Sequence, residues 1–262
     1  MFHTPHFLVK AGPSELTDIL ANNLITDWDP ALGCVDGESA TSTDGTGLYQ
    51  WTDQAGSLIA EQSSSGDQPI WRAGGGVNGR VYPYVDFPGL EFMEVLSSTN
   101  SFKQDQLTMY AVLDLQGTPG IYDTLFHKGS DYYWDDGWRI GTGSSSEWEG
   151  WVIDEAYEAR NTNATNNREV KVVRFDIDAT GTKIIEVIDQ GKTYTIATPV
   201  GTNNAPTKNA LLGASWNSSG TDGTFFIDGY LFRFLIYDTY HSDTDVESMI
   251  DFLKKKYVDE LI

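Results

Sequence analysis

The residues with the clearest chemical potential in this 262-residue sequence lie between positions 131 and 151. One run reads D-Y-Y-W-D-D-G-W, and the triplet E-W-E follows it at 147–149. Aromatic rings can cover the C–H face of a pyranose, and carboxylates accept hydrogen bonds from its hydroxyls. The segment therefore predicts a carbohydrate-binding platform. Its members would be Tyr133, Trp134, Asp135, Trp138 and Trp148.

The same segment has other interpretations. Its aromatic rings could fill the core or anchor a partner subunit, since Trp and Tyr are enriched at interface centres, and this interpretation is favoured over glycan contact. Asp131, Asp135 and Asp136 could hold a calcium ion through carboxylate oxygens. We otherwise expect no metal and no cofactor.

Two pairs of acidic residues have the spacing of neighbours on one face of a strand. Glu147 and Glu149, like Asp176 and Asp178, would lie about 7 Å apart. Such a pair could serve as the acid and base of a glycosidase. However, Glu147 follows a Gly- and Ser-rich run, and Asp178 begins a turn, where aspartate has an ordinary structural use. Catalysis is therefore disfavoured.

Other catalytic arrangements are weaker still. Cys34 has no nearby basic residue that would generate a thiolate. The G-T-G-S-S-S run at 141–146 lacks the lysine and the following helix of a phosphate loop. His127 and His241 stand alone and are expected at a turn or a rim. We expect a protein that is not an enzyme.

The charge balance limits the possible partners. Lys and Arg total 17 against 38 Asp and Glu, a net charge of −21. Such a field repels phosphate backbones and anionic headgroups, so nucleic acid and membrane surfaces are not expected partners. Residues 1–10 show no secretory signal. We therefore expect synthesis in a host cytoplasm, after which the protein could leave within an assembly.

Period-2 alternation of apolar residues predicts strands along most of the chain. It is clearest over Leu107–Leu115 and recurs over 81–87, 169–177 and 225–237. The last of these would place Phe232, Phe234 and Ile236 on one face. Gly33–Gly47 reads as a polar loop. In the stretch Leu48–Phe92, the other face of the 81–87 strand carries Tyr82, Tyr84 and Asp86, and we interpret the whole stretch as scaffold.

Helical signals occur near both ends of the sequence. Ser14 could cap a short helix, and Ser242 could cap an amphipathic one with Asp243 and Asp245 in its first turn. The predicted fold is therefore all-β: an antiparallel jelly-roll sandwich with a short N-terminal helix and a C-terminal amphipathic helix. Residues 1–23 would form an arm with the short helix, and residues 24–262 the sandwich domain.

Several short motifs resemble one superfamily when taken in order. They are Asp27-Trp28-Asp29, W-x-D-Q-x-G at 51–56, Gln68-Pro69, N-G-x-x-x-x-x-V-x-F at 78–87, and K-K-Y at 255–257. Together they resemble the concanavalin A-like lectin/glucanase superfamily, in the laminin G-like form common in phage and bacterial proteins. The resemblance spans roughly residues 24–257 and implies two packed antiparallel sheets. It leaves the activity open, since the fold serves lectins, glycosidases, adhesins and virion parts.

Two departures from the superfamily pattern matter. Its glucanases carry Glu-x-Asp-x-Glu on one strand, and this sequence has no such triplet. The last strand of such domains often carries an acidic residue near the position of Arg233, and here it does not. The resemblance therefore implies neither a glucanase site nor a ligand site near that strand.

These features predict a non-enzymatic, lectin-like virion structural protein, either a capsid decoration or a tail component of a phage. It would act by docking to other virion subunits, as a homo-oligomer. The docking arm would be formed by Phe2, Phe7, Leu8 and Val9. The alternative is a carbohydrate-binding adhesin or receptor-binding protein that contacts surface glycans. The second alternative is a glycoside hydrolase of the glucanase type.

Overall fold

The structure is a computed structural model. It describes residues 22–36, 40–56, 58–74, 82–98, 101–102, 105–116, 122–129, 137–143, 148–152, 158–161, 168–177, 182–189, 192–199, 207–219 and 221–259. The N-terminal arm, the short helix predicted after Ser14, and the domain boundary at residue 23 lie outside these residues or stay untested, and they remain predictions.

The strands of the first half of the chain are β1 (Leu24–Trp28), β2 (Cys34–Asp36), β3 (Ala40–Thr41), β4 (Gln50–Thr52), β5 (Ile59–Glu61), β6 (Ile70–Arg72), β7 (Tyr84–Pro88), β8 (Met93–Leu96), β9 (Gln106–Leu115) and β10 (Thr124–Lys128). Those of the second half are β11 (Trp138–Thr142), β12 (Trp148–Val152), β13 (Glu158–Asn161), β14 (Glu169–Ile177), β15 (Thr182–Asp189), β16 (Lys192–Pro199), β17 (Ala210–Leu212), β18 (Ser215–Trp216), β19 (Gly223–Thr224) and β20 (Asp228–Tyr237).

These strands form two large sheets. Sheet A has the order β16-β15-β14-β9-β20-β7-β6, and β1 also pairs with β20. Sheet B has the order β13-β12-β11-β10-β17-β8-β5-β4-β2-β3, while β18 and β19 form a separate small hairpin. The pairs within both sheets are antiparallel, and a continuous apolar core lies between them. The predicted all-β antiparallel sandwich is confirmed.

Strand β9 shows the predicted alternation. Leu107, Met109, Ala111, Leu113 and Leu115 all belong to the core between the sheets, while the residues between them face the outer side of sheet A. Since β9 lies between β14 and β20, both of its edges are hydrogen-bonded, and its two faces are covered by the core and by the outer cluster.

Strand β20 departs from the predicted alternation. Its register with β9 shifts between Leu231 and Arg233, a β-bulge. Leu231 and Phe234 therefore both enter the core, whereas Phe232 lies in the outer cluster of sheet A. The predicted grouping of Phe232 with Phe234 and Ile236 is wrong, because the extra residue of a bulge reverses the facing of everything after it.

Asp53 explains the W-x-D-Q-x-G motif. Its carboxylate accepts hydrogen bonds from the backbone N–H groups of Asp27, Ala55, Gly56 and Leu58, at 2.7 to 3.2 Å. One buried side chain thus closes the turn after β4 and also ties it to β1. The motif belongs to the scaffold.

The predicted loop over 33–47 contains two short strands. Strand β2 pairs with β4 through Cys34 opposite Trp51, and β3 forms the edge of sheet B. The loop prediction is wrong here because an edge strand needs backbone pairing on one side only and can be polar in composition.

The predicted C-terminal helix is confirmed as α1 (Asp243–Leu253). Ser242 and Asp245 form a reciprocal capping box, and a π-helical turn, Lys254–Val258, continues the helix. The buried side of this segment, which includes Val246 and Tyr257, packs on the outer face of sheet A. The described part of the chain contains no helix long and apolar enough to cross a membrane.

Candidate functional site

The predicted aromatic platform is only partly described by the structure. Trp138 and Trp148 are 2% and 0% exposed and belong to the core between the sheets. The Trp138 ring stacks on Phe126 with centroids 5.0 Å apart, and its indole N–H donates to the backbone oxygen of Phe102. A buried ring cannot lie against a sugar, so these two residues are removed from the platform.

The other predicted site residues lie outside the described part of the chain. They are Tyr133, Trp134 and Asp135 of the platform, Asp131 and Asp136 of the calcium alternative, and Phe2, Phe7, Leu8 and Val9 of the arm. They remain predictions. Within the described residues, no three His, Cys, Asp or Glu side chains are grouped so that they could hold a metal ion.

Each of the two predicted acidic pairs has one member outside the described residues, so both pairs remain predictions. Glu147 and Asp178 lie outside the described residues, and Glu149 is described only as a backbone position in β12 opposite Gly141. Asp176 accepts a hydrogen bond from the side-chain amide of Gln106 at 2.9 Å. Burial raises the pKa of the Cys34 thiol, as expected for an inert cysteine.

Both histidines are buried; His127 lies in a strand, not at a turn or rim as expected, and His241 lies in the connection between β20 and α1. His127 lies in β10, where its Nδ1 accepts the backbone N–H of Trp216 at 3.1 Å. His241 Nδ1 lies 2.7 Å from the hydroxyl of Tyr110. Burial, more than the neighbouring cations, lowers the pKa of His127 to about 3 and that of His241 to about 4. Both imidazoles are neutral structural groups.

A different group of residues meets on the outer face of sheet A, which we call the tyrosine–aspartate patch. Its members are Tyr84 and Asp86 on β7, Asp228 and Tyr230 on β20, and Asp114 on β9. Asp86 lies directly opposite Tyr230, and Tyr230 lies directly opposite Asp114. Their facing is set by strand alternation, because Val85 and Phe87 are core residues.

The two tyrosines of the patch form one aromatic surface. Their ring centroids are 4.8 Å apart, and Phe232 packs against Tyr84 at 5.3 Å. Tyr84 and Tyr230 are half-buried, whereas Phe232 is buried. The guanidinium carbon of Arg168 lies 3.7 Å from the Phe232 ring centroid. The patch is thus a rigid aromatic floor that remains open to solvent.

The carboxylates of the patch are partly desolvated. Burial is the main cause that raises the pKa values of Asp86, Asp114 and Asp228. Arg72 opposes the shift at Asp86, since its Nη2 lies 3.5 Å from the carboxylate. Burial, followed by these carboxylates, raises the pKa of Tyr230 as well. The patch therefore combines ring faces with hydrogen-bond acceptors in a half-buried setting.

The sequence contained one signal for this patch. Tyr84 and Asp86 alternate with core residues on β7, and this alternation predicts that both lie on its second face. The interpretation of the stretch as scaffold gave them no functional role. Asp114 and Tyr230 come from strands far away in sequence. Only the register of β7, β20 and β9 unites them.

A second polar cluster on this sheet face is structural. Arg233 donates to the carboxylates of Asp27 and Asp29 and, at 3.1 Å, to the hydroxyl of Tyr257. The acidic partners absent from the last strand are thus supplied by the D-W-D motif of β1. The cluster joins β1, β20 and the end of the helical segment.

No family model matches the sequence, and no curated protein matches it. Solved structures do resemble its fold. A CBM40 module of the Ruminococcus gnavus IT-sialidase, bound to α2,3 sialyllactose, has a TM-score of 0.52 at 11% identity and covers 64% of this chain and 95% of its own. That likeness decides the architecture. The likeness shows a shared fold, the antiparallel β-sandwich.

Two sialidases share the jelly-roll fold over a smaller part of their own length. Trypanosoma rangeli sialidase, in complex with 2,3-difluorosialic acid, has a TM-score of 0.56 at 11% identity over 90% of this chain. Leech intramolecular trans-sialidase, complexed with 2,7-anhydro-Neu5Ac, has a TM-score of 0.51 at 13% identity over 64% of this chain. The matches span 33% and 27% of the two sialidase chains.

These comparisons contradict the main functional prediction. The expected virion structural protein, acting by docking to other subunits, is wrong, since the neighbours are a sialidase carbohydrate-binding module and sialidases. The alternative of a carbohydrate-binding adhesin or receptor-binding protein stays a prediction.

Proposed function

We propose that this protein is a carbohydrate-binding protein of the adhesin or receptor-binding type, and that the tyrosine–aspartate patch holds the glycan. One observation carries the proposal: two packed, half-exposed tyrosine rings flanked by three carboxylates on the outer face of sheet A. The sialyllactose-bound CBM40 module with a similar fold supports it.

The chemistry of the patch fits a pyranose. The C–H face of a sugar ring lies on the Tyr84 and Tyr230 rings, and its hydroxyls donate to Asp86 on one side and Asp114 on the other. Strands β7 and β9 flank β20, so these two acceptors rise from backbones about 10 Å apart. The pairing of β7 with β20 and the contact of Phe232 with Tyr84 hold the tyrosines in place before a glycan binds, so little side-chain freedom is lost on binding.

The proposed role is binding without turnover. Asp86 and Asp114 are proposed only as hydrogen-bond acceptors, a role that does not need the ~5–5.5 Å spacing between the carboxyl groups of retaining glycosidases. Arg72, at 3.5 Å, opposes the burial that raises the pKa of Asp86, and so helps this carboxylate to act as a charged hydrogen-bond acceptor.

The test is a glycan array followed by calorimetry on the best ligand. Tyr230→Ala and Tyr84→Ala should each weaken binding about tenfold or more, since a lost aromatic contact of about 1.4 kcal/mol corresponds to a factor of ten. Tyr49→Ala is the matched control, because it removes a half-buried tyrosine beside sheet B. Trp134→Ala tests the platform predicted from the sequence.

Two results would contradict the proposal. One is a wild-type protein that binds no glycan on the array. The other is full affinity in both patch variants, which would place any glycan site elsewhere. If Trp134→Ala alone lost glycan binding, the site would lie at 131–136.

A further inference from the structure

We infer that the tyrosine–aspartate patch selects uncharged glycans and rejects sialylated ones. The inference rests on the proposed function and names the ligand class of the same site. It separates this chain from the CBM40 module that shares its fold and binds sialyllactose.

The charges around the two rings are mainly negative. Among the described residues, the carboxylates whose fields act on Tyr84 or Tyr230 are Asp44, Asp86, Asp114 and Asp228. The cations that act on Tyr84 are Arg72 and Arg168. Four carboxylates thus face two guanidiniums, within a chain whose net charge is −21. A carboxylate on an incoming sugar meets repulsion here.

Both guanidiniums beside the patch are already engaged. Arg72 Nη2 pairs with Asp86 at 3.5 Å. Arg168 lies over the ring of Phe232 and donates through Nη1 to the backbone oxygen of Tyr257 at 3.3 Å. A carboxylate that bound one of these arginines by the usual two-pronged contact would compete with the interactions already in place. Releasing Arg72 would also leave Asp86 without its cation.

The remaining arginines described on this side of sheet A are used to fix the helix. Arg174 pairs with Asp243 and donates to the backbone oxygen of His241. Arg233 is shared by Asp27 and Asp29. Both are largely buried under the helical segment. The part of this face that the structure describes therefore offers acceptors for sugar hydroxyls, whereas a sugar carboxylate would compete with existing contacts for its arginines.

The experiment compares matched glycans that differ only by a terminal sialic acid, with lactose and α2,3 sialyllactose as one pair. Wild-type protein should bind the uncharged member of each pair at least tenfold more tightly at low salt. Added salt should reduce this difference in affinity, because it screens the repulsion between the patch and the sialic acid carboxylate. The double variant Asp114→Asn plus Asp228→Asn keeps acceptor oxygens but removes two charges, so it should also narrow the difference severalfold. Asp238→Asn, just beyond the far end of β20, is the control and should leave the affinity difference unchanged.

The outcomes are distinguishable. Equal or tighter binding of the sialylated members would overturn the inference and leave the proposed function standing. If the double variant kept the wild-type difference in affinity between uncharged and sialylated glycans, the patch charges would not be its cause. This result also overturns the inference. Absence of binding to every glycan would remove both the proposed function and the inference. The melting temperature of each variant confirms that it is folded.

Discussion

His127 makes the stability of this protein depend on pH in a way that can be calculated. The side chain is fully buried in β10 and accepts a backbone N–H from Trp216, so its proton must sit on the other ring nitrogen. Burial, with Arg139 and then Lys128 adding to it, lowers the pKa of His127 from 6.5 to about 3. The folded protein therefore keeps this imidazole neutral at any pH above about 4.

The sign of the effect follows from the direction of this shift. The unfolded chain takes up a proton near pH 6.5 and the folded chain does not, so stability is complete above that pH and falls as the pH drops toward 3. At pH 5, about 1.5 units below the ordinary pKa, the loss is about 2 kcal/mol in the free energy of unfolding, at about 1.4 kcal/mol per unit. His241 acts in the same direction, because its pKa is lowered to about 4.

The carboxylates with raised pKa values act in the opposite direction. Asp86 and Asp114 bind protons more readily in the folded state, which favours folding as the pH falls. The contribution of His127 must therefore be isolated with a variant. Urea unfolding of wild type and His127→Gln at pH 7.5 and pH 5 does this, since glutamine can accept the Trp216 N–H and does not titrate.

The loss of stability between the two pH values should be about 2 kcal/mol smaller in His127→Gln than in wild type. Phe126→Leu is the control, because it weakens the neighbouring core position without removing a titratable group and should keep the wild-type pH dependence. The same pH dependence in His127→Gln and wild type would refute the reasoning.

Two further predictions concern single positions. Arg233→Met should lower the free energy of unfolding, measured with urea, by about 3–5 kcal/mol, because it leaves the carboxylates of Asp27 and Asp29 buried without their cation. A loss below about 1 kcal/mol would contradict this, since it would show that solvent replaces the arginine. Gly137→Ala should reduce the melting temperature sharply, since φ is +85° and the new Cβ would lie 1.7 Å from the backbone oxygen of Lys128. Gly66→Ala is the control, because its new Cβ meets no atom within 4 Å, and it should melt like wild type.

The elements that could be predicted are those specified by neighbouring residues. Alternation alone identifies β9 and its inward face, because every second residue from Leu107 to Leu115 is apolar and the strand is regular. The helix was predictable because Ser242, Asp243 and Asp245 mark its beginning within four positions. Strand β20 was predicted, but the faces assigned to its residues are wrong, since no local pattern marks the bulge after Leu231.

The candidate site depended on information that local patterns lack. Density of aromatic residues drew attention to Trp138 and Trp148, but a tryptophan in a strand can face either side, and these two face the core. In the patch, Asp86, Tyr230 and Asp114 become neighbours only after β7, β20 and β9 have paired in register. Such a site can be recognised once the sheet order is known.

The central position of β20 has a consequence for how the chain is made. Residues 228–237 complete sheet A by joining β9, β7 and β1, and Phe234 pairs with Trp28 across more than 200 residues of sequence. At a synthesis rate of about 5–20 residues per second, β7 and β9 wait many seconds for the strand that separates them. During that time their unpaired edges are exposed to other nascent chains. The net charge of −21 opposes such association, because chains of like charge repel each other.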